Sequence, residues 1–268
     1  MRYVDMRFED IIELLRSNLE RVYSPRAKIA MKCIEEIERS RDISDPLVVE
    51  SLYYLAKKIP VLSLYKEPWR SKEFRLFMEC FTLSDYYRKI LNNLVEMAIK
   101  GIFRRAKIPH DRIVLEFYPG SGVGIEVVSR ILTNKLAIVE FHRRDLEFVM
   151  ERLAYQNIDV IVYEVDHMSI GDVLSYPVGM VLIVSPLTWF YSLSELVDRA
   201  CSILERGGYI LGISLLDNAN NILKPFMVAL GVRSLSTLKE LEILLASKHL
   251  SRMNIKEVGE FILYTGVK

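Results

Sequence analysis

Four short runs, "RIVLEF" (112–117), "LAIVE" (136–140), "VIVYEV" (160–165) and "MVLIV" (180–184), set the tightest limit on what this chain can fold into. Each is an almost unbroken series of β-branched and aliphatic residues. Alternate side chains of a strand face opposite ways, so an unbroken apolar run belongs to a strand covered on both faces. Between the runs lie segments with helical spacing, at about 123–133, 143–155, 168–174 and 193–205. Such alternation calls for a parallel sheet flanked by helices. A fifth strand is expected at 208–214. After a helix at about 236–248, "MNIKEVGEFILYTGVK" reads as two strands turning near Gly259. A hairpin there adds antiparallel strands to the sheet.

The first hundred residues have another rhythm. Ile11, Leu14, Leu15 and Leu19 form one stripe of a helix over 8–22. Ser24-Pro25 and Asp45-Pro46 each pair a capping side chain with a first-turn proline, opening helices at about 25–39 and 46–58. A loop is expected from Pro60, and Ser71 caps the next helix. Residues 84–106 read as one long helix with Tyr87, Ile90, Leu91, Leu94 and Met97 in register. The expected organisation is an all-helical region, 1–108, that covers the site and selects the substrate. It precedes a doubly wound α/β domain, 109–268, with a mostly parallel seven-stranded sheet and a C-terminal antiparallel hairpin.

Composition narrows the function. With 36 basic against 35 acidic side chains the net charge is +1, so no global field draws the chain to nucleic acid or to a membrane surface. A small-molecule substrate is expected instead, unless Arg104, Arg105, Arg143 and Arg144 gather into a local basic groove. No stretch approaches the ~18 apolar residues of a membrane span. Cys33, Cys80 and Cys201 show no metal-ligand spacing and suit free thiols in a reducing cytoplasm. A single glutamine beside abundant Lys, Arg and Glu is a bias found in proteins from hot environments.

The chemistry gathers after the first strand, in "EFYPGSGVG" (116–124). Glycines at a strand-to-helix junction make a tight turn, or they let a ligand reach backbone amides at a helix N-terminus. A dinucleotide fingerprint starting at Gly120 would need a third glycine where Ile125 stands. Twenty residues beyond Gly120, Glu140 ends the second strand, placed to accept both hydroxyls of an adenosine ribose. These features, with Asp166 in "VDHMSI", "MVLIVSPLTWF" and "LERGGYILGIS" in the same order, resemble a class I S-adenosylmethionine-dependent methyltransferase over about 110–268.

The resemblance implies S-adenosylmethionine as cofactor and no metal. Its site would comprise Glu116, Tyr118, Pro119, Gly120, Ser121 and Gly122 from the first loop, Glu140 and Phe141 from the second strand end, and Asp166 and His167 from the third. Asp166 would meet the adenine amino group, or simply cap a turn. Ser185, Pro186 and Trp189 lie where the methyl donor and the acceptor would meet, although Trp189 equally suits a core position. Tyr118 stands where the family often has glycine, and "SPLTW" only loosely matches the "NPPY" pattern of amino-group methyltransferases. His142 and His167 are candidate bases or ordinary histidines. Tyr86, Tyr87 and Arg88 would close over the pocket or pack a helix. Two further readings stand beside methyl transfer: an aminobutyryl transferase resembling nicotianamine synthases, and a cofactor-binding scaffold without turnover.

Overall fold

A computed structural model describes residues 7–37, 45–98 and 108–268. Two compact units emerge. One holds the described residues up to Lys89 together with Asp217–Val232; the other holds those of Ile90–Leu216 and Arg233–Lys268. The border expected at 108/109 thus falls inside the second unit, and a segment from late in the chain groups with the helices.

The helical unit contains α1 (Phe8–Glu20), α2 (Pro25–Glu36), α3 (Pro46–Leu62), α4 (Lys72–Leu83), the start of α5 (Asp85–Ala98) and α9 (Lys224–Leu230). The three expected caps are present, with Ser24 Oγ, Asp45 Oδ1 and Ser71 Oγ accepting from amides of their first turns. Each such cap contributes about 1 kcal/mol. Phe74, Phe77, Phe81 and Tyr87 fill the core, so Tyr87 is a packing residue here. The loop expected from Pro60 does not form. Helix α3 runs through Pro60 to Leu62. Proline lacks the N–H that would bond the carbonyl of Ala56, and the side-chain amide of buried Asn18 on α1 donates to that carbonyl instead, at 3.0 Å.

The second unit is built on one sheet. Its strands are β1 (Ile113–Phe117), β2 (Leu136–Val139), β3 (Val160–Tyr163), β4 (Val178–Ile183), β5 (Leu204–Leu216), β6 (Leu235–Ser236), β7 (Ser251–Val258) and β8 (Phe261–Val267). Seven run in the order β3-β2-β1-β4-β5-β8-β7, and the two-residue β6 pairs with the end of β5. The first five pair in parallel; β8 lies antiparallel between β5 and β7, as the hairpin pattern predicts. The rest of α5, from Ile90, and helices α6 (Val123–Ser129), α7 (Arg143–Tyr155), α8 (Leu193–Ile203) and α10 (Leu238–Ser247) belong to the same unit.

Some elements differ from expectation. The helix at 168–174 is a single 3-10 turn, Ile170–Asp172, and α6 stops at Ser129. Strand β5 begins four residues early, because Leu204 already pairs with Val178. The long helix over 84–106 is described only as far as Ala98. Arg104 and Arg105 of the suggested basic groove lie outside the described residues, while Arg143 pairs with Glu147 at 2.9 Å. Among the described residues no helix is long and apolar enough to cross a membrane, and no group of three His, Cys, Asp or Glu is placed to hold a metal ion. Cys33, Cys80 and Cys201 are free.

Candidate functional site

Strand order reverses between β1 and β4, and the crevice beyond the carboxyl ends of strands at such a point is the usual ligand position in an open α/β sheet. Each strand there delivers one predicted group. β1 leads into Tyr118–Gly122, β2 into Glu140 and Phe141, β3 into Asp166 and His167, and β4 into Ser185 and the 3-10 turn Pro186–Phe190.

The glycine loop is a tight turn held by conformation. Tyr118, Gly120 and Gly122 all have positive φ, at 49°, 60° and 74°. Gly122 N–H donates to the carbonyl of Pro119 at 2.8 Å, and Ser121 is buried. A Cβ at Gly122 would lie 2.9 Å from Val149 Cγ2 and 3.1 Å from Leu153 Cδ2, both on α7. Sequence reasoning makes Gly122→Ala a loss of ligand affinity if the loop presses on a cofactor, and a loss of stability if the glycine serves a turn. Its contacts are with α7, so we expect Gly122→Ala to lose about 2 kcal/mol of stability. Urea unfolding of the variant checks this; an unchanged midpoint would show that α7 yields without cost.

Glu116 lies beneath this loop. It is wholly buried, and Oε2 accepts from the amide of Ile125 in the first turn of α6 at 2.9 Å. Any side chain at Gly124 would come within 2.5 Å of its Oε1, which has no hydrogen-bond partner among the described residues. Desolvation pushes its pKa up to about 8, against a smaller lowering by the Ile125 amide. The carboxyl is therefore mostly protonated at neutral pH and ties strand to helix.

Glu140 is buried at the end of β2, its Oε1 accepting from His142 N–H at 2.9 Å. Asp166 caps the turn after β3, its Oδ1 accepting from Ser169 N–H at 2.9 Å. Ser185 Oγ likewise accepts from Leu187 N–H, capping the turn that Pro186 opens. Trp189 is a core residue: its indole N–H donates to the carbonyl of Ile213, and its ring lies 5.6 Å from that of Phe261.

The residues that do meet are aromatic. Tyr118 is 1% exposed and stacks in parallel on Tyr191, with ring centroids 4.1 Å apart and planes 3° apart. Its edge meets Phe141 at 6.2 Å and His167 at 5.6 Å. Tyr118 Oη lies 2.7 Å from His167 Nδ1, and the backbone N–H of His167 donates to the same oxygen at 3.2 Å. The phenol hydroxyl and Nδ1 share one proton, and either can be its donor. The other ring nitrogen, Nε2, is buried without a partner among the described residues. Burial lowers the His167 pKa, so the ring is neutral at neutral pH. The guanidinium of Arg199 braces this corner, donating from Nε to the carbonyl of His167 at 3.1 Å. Tyr191 is absent from the sequence-based site. The aromatic run "WFY" at 189–191 was its only signal, and nothing in that run separates a core ring from a slot ring.

This architecture is the class I S-adenosylmethionine-dependent methyltransferase fold. It is shared with the CurJ carbon methyltransferase (TM-score 0.71, 10% identity, covering 97% of this chain and 90% of that one). The citrinin polyketide synthase CMeT domain is similar (TM-score 0.68, 11% identity, 99% and 90%), as is PigF solved with SAH (TM-score 0.54, 15% identity, 83% and 73%). At these identities the likeness concerns the fold. No protein-family model matches the sequence, and no curated protein matches it.

Proposed function

We propose that this protein is an S-adenosylmethionine-dependent methyltransferase acting on a small molecule. One observation carries the reading: the positive-φ glycine loop opens α6 at the sheet's switch point, beside the buried, oriented carboxylate of Glu140 on the neighbouring strand. A carboxylate so placed suits the paired hydroxyls of a ribose. Asp166 and His167 on the next strand end suit an adenine ring. These residues fit the cofactor. PigF was solved with SAH, the demethylated product of this cofactor, which supports the assignment.

When bound, the cofactor supplies an electrophilic methyl group on a sulfonium. The protein's share is placement. Glu140 and Asp166 would hold the nucleoside end, and Ser185 and Pro186 at the β4 exit would face the acceptor. Holding the acceptor's nucleophile in line at about 3 Å accounts for most of the acceleration such enzymes need. A net charge of +1 favours a small acceptor over nucleic acid, and the fold shared with the citrinin polyketide synthase CMeT domain supports that reading. Free thiols suit a cytoplasmic setting.

Glu140→Ala is expected to weaken SAH binding by about 1–3 kcal/mol, roughly 5- to 150-fold, through loss of charge-assisted hydrogen bonds. Calorimetric titration of both proteins measures it, and equal affinities would remove Glu140 from the site. Incubation with methyl-labelled cofactor then separates methyl transfer from methylthioadenosine release, the mark of aminobutyryl transfer, and from no turnover.

A further inference from the structure

Tyr118 is a strange tenant for a ligand crevice. It is a bulky residue at φ 49°, a region that side chains other than glycine's rarely enter, and it directly follows β1. Such strain persists where the surroundings over-determine it, and it concentrates at sites that bind or switch. Here the surroundings are Tyr191 against one face, Phe141 and His167 at the edge, and two hydrogen bonds to the hydroxyl. The phenol therefore fills a flat slot at the tips of β2, β3 and β4.

The hydrogen bonds define what else would fit. At one edge of the slot His167 presents a donor, its backbone N–H, beside Nδ1, which accepts in one tautomer of the ring. The phenol satisfies both with a single oxygen. A heteroaromatic ring with an amino group beside a ring nitrogen satisfies both as well, accepting from the amide and donating to Nδ1 in the tautomer that carries its proton on Nε2. The six-membered ring of adenine carries that pair on one edge. Phe141 is the most exposed of the four rings, at 38%, and marks the solvent side through which one ring could replace another.

We propose that Tyr118 is an internal competitor for the adenine ring of the methyl donor, so that the cofactor binds only when the phenol leaves the Tyr191–His167 slot. The inference rests on the function proposed above. The apparent affinity for cofactor is then reduced by the fraction of molecules with the slot open. Minor states of this kind hold about 0.1–10% of a population, so removing the ring raises affinity at least about tenfold.

The test is calorimetric titration of SAH, and separately of adenosine, into wild type, Tyr118→Gly and Tyr118→Phe. Glycine suits the backbone angle, and near-ultraviolet circular dichroism verifies folding. Phenylalanine keeps the ring but loses both hydrogen bonds, and it carries the test if the glycine variant does not fold. Tyr118→Gly is expected to bind SAH at least tenfold more tightly than wild type, with Tyr118→Phe between them. Equal or weaker binding by Tyr118→Gly would overturn the proposal; if that variant does not fold, equal or weaker binding by Tyr118→Phe would do so. Adenosine binding to Tyr118→Gly without SAH binding would uphold the slot while removing the methyl-donor reading. Binding of neither probe to any of the proteins would overturn both.

Discussion

Glu116→Gln is expected to flatten the pH dependence of unfolding between about pH 4.5 and pH 8. The folded protein holds the Glu116 proton up to about pH 8, whereas the unfolded chain releases it near the ordinary value of 4.5. Between those limits the native state carries a proton that the unfolded state lacks. Stability therefore falls as pH rises, by up to about 1.4 kcal/mol per pH unit. The contribution is complete below the lower limit and gone above the upper one. Glutamine has nearly the same shape, can still accept from the Ile125 amide through its carbonyl, and does not titrate. Urea unfolding of both proteins across this range, compared as a difference, cancels the titration of other groups. A difference that stays constant with pH would show that Glu116 is ionised in the fold.

Gly212→Ala is expected to be the most damaging single methyl group in the sheet. Gly212 on β5 stands directly opposite Tyr264 on β8, and the ring of Tyr264 lies over it. A Cβ at Gly212 would overlap Cζ and the hydroxyl oxygen of that side chain. Tyr264 is fully buried, so the ring has no solvent to swing into. Overpacking of this kind costs about 3 kcal/mol or more, enough to threaten folding at moderate temperature. Thermal unfolding reads the loss. Adding Tyr264→Ala should recover part of it, since the two substitutions share one volume and cannot act independently. A Gly212→Ala protein that melts with the wild type would mean the hairpin shifts to make room.

The sheet was legible because its strands are written as unbroken apolar runs; β1 to β4 start and end within about one residue of the reading, as does α7. Helix α9 was not read, although Pro225 stands near its start and Gly231, at φ 88°, just past its end. Seven residues are too few for periodicity to show, and the helix gets its partners from α2 and α3, far back in sequence. Pro60 misled for a related reason. The bond that lets the helix pass through it comes from Asn18, 38 residues before the carbonyl it reaches. In the site, the strand-end acids were visible from spacing. The pairing of Tyr118 with Tyr191 and His167 was not, because side-chain stacking between loops leaves no period in the sequence.

The late helix also bears on the order in which the chain can finish folding. Helix α9 packs on α2 and α3, so the helical unit remains incomplete until residue 230 has been made. Synthesis at ~5–20 residues per second leaves an interval on the order of ten seconds between the end of α5 and the end of α9. Throughout it, the surface of α2 that α9 will cover stands open while the five parallel strands emerge. On the ribosome, then, the helices made first must wait for a segment that follows all five parallel strands, and the sheet waits longer still, for β7 and β8.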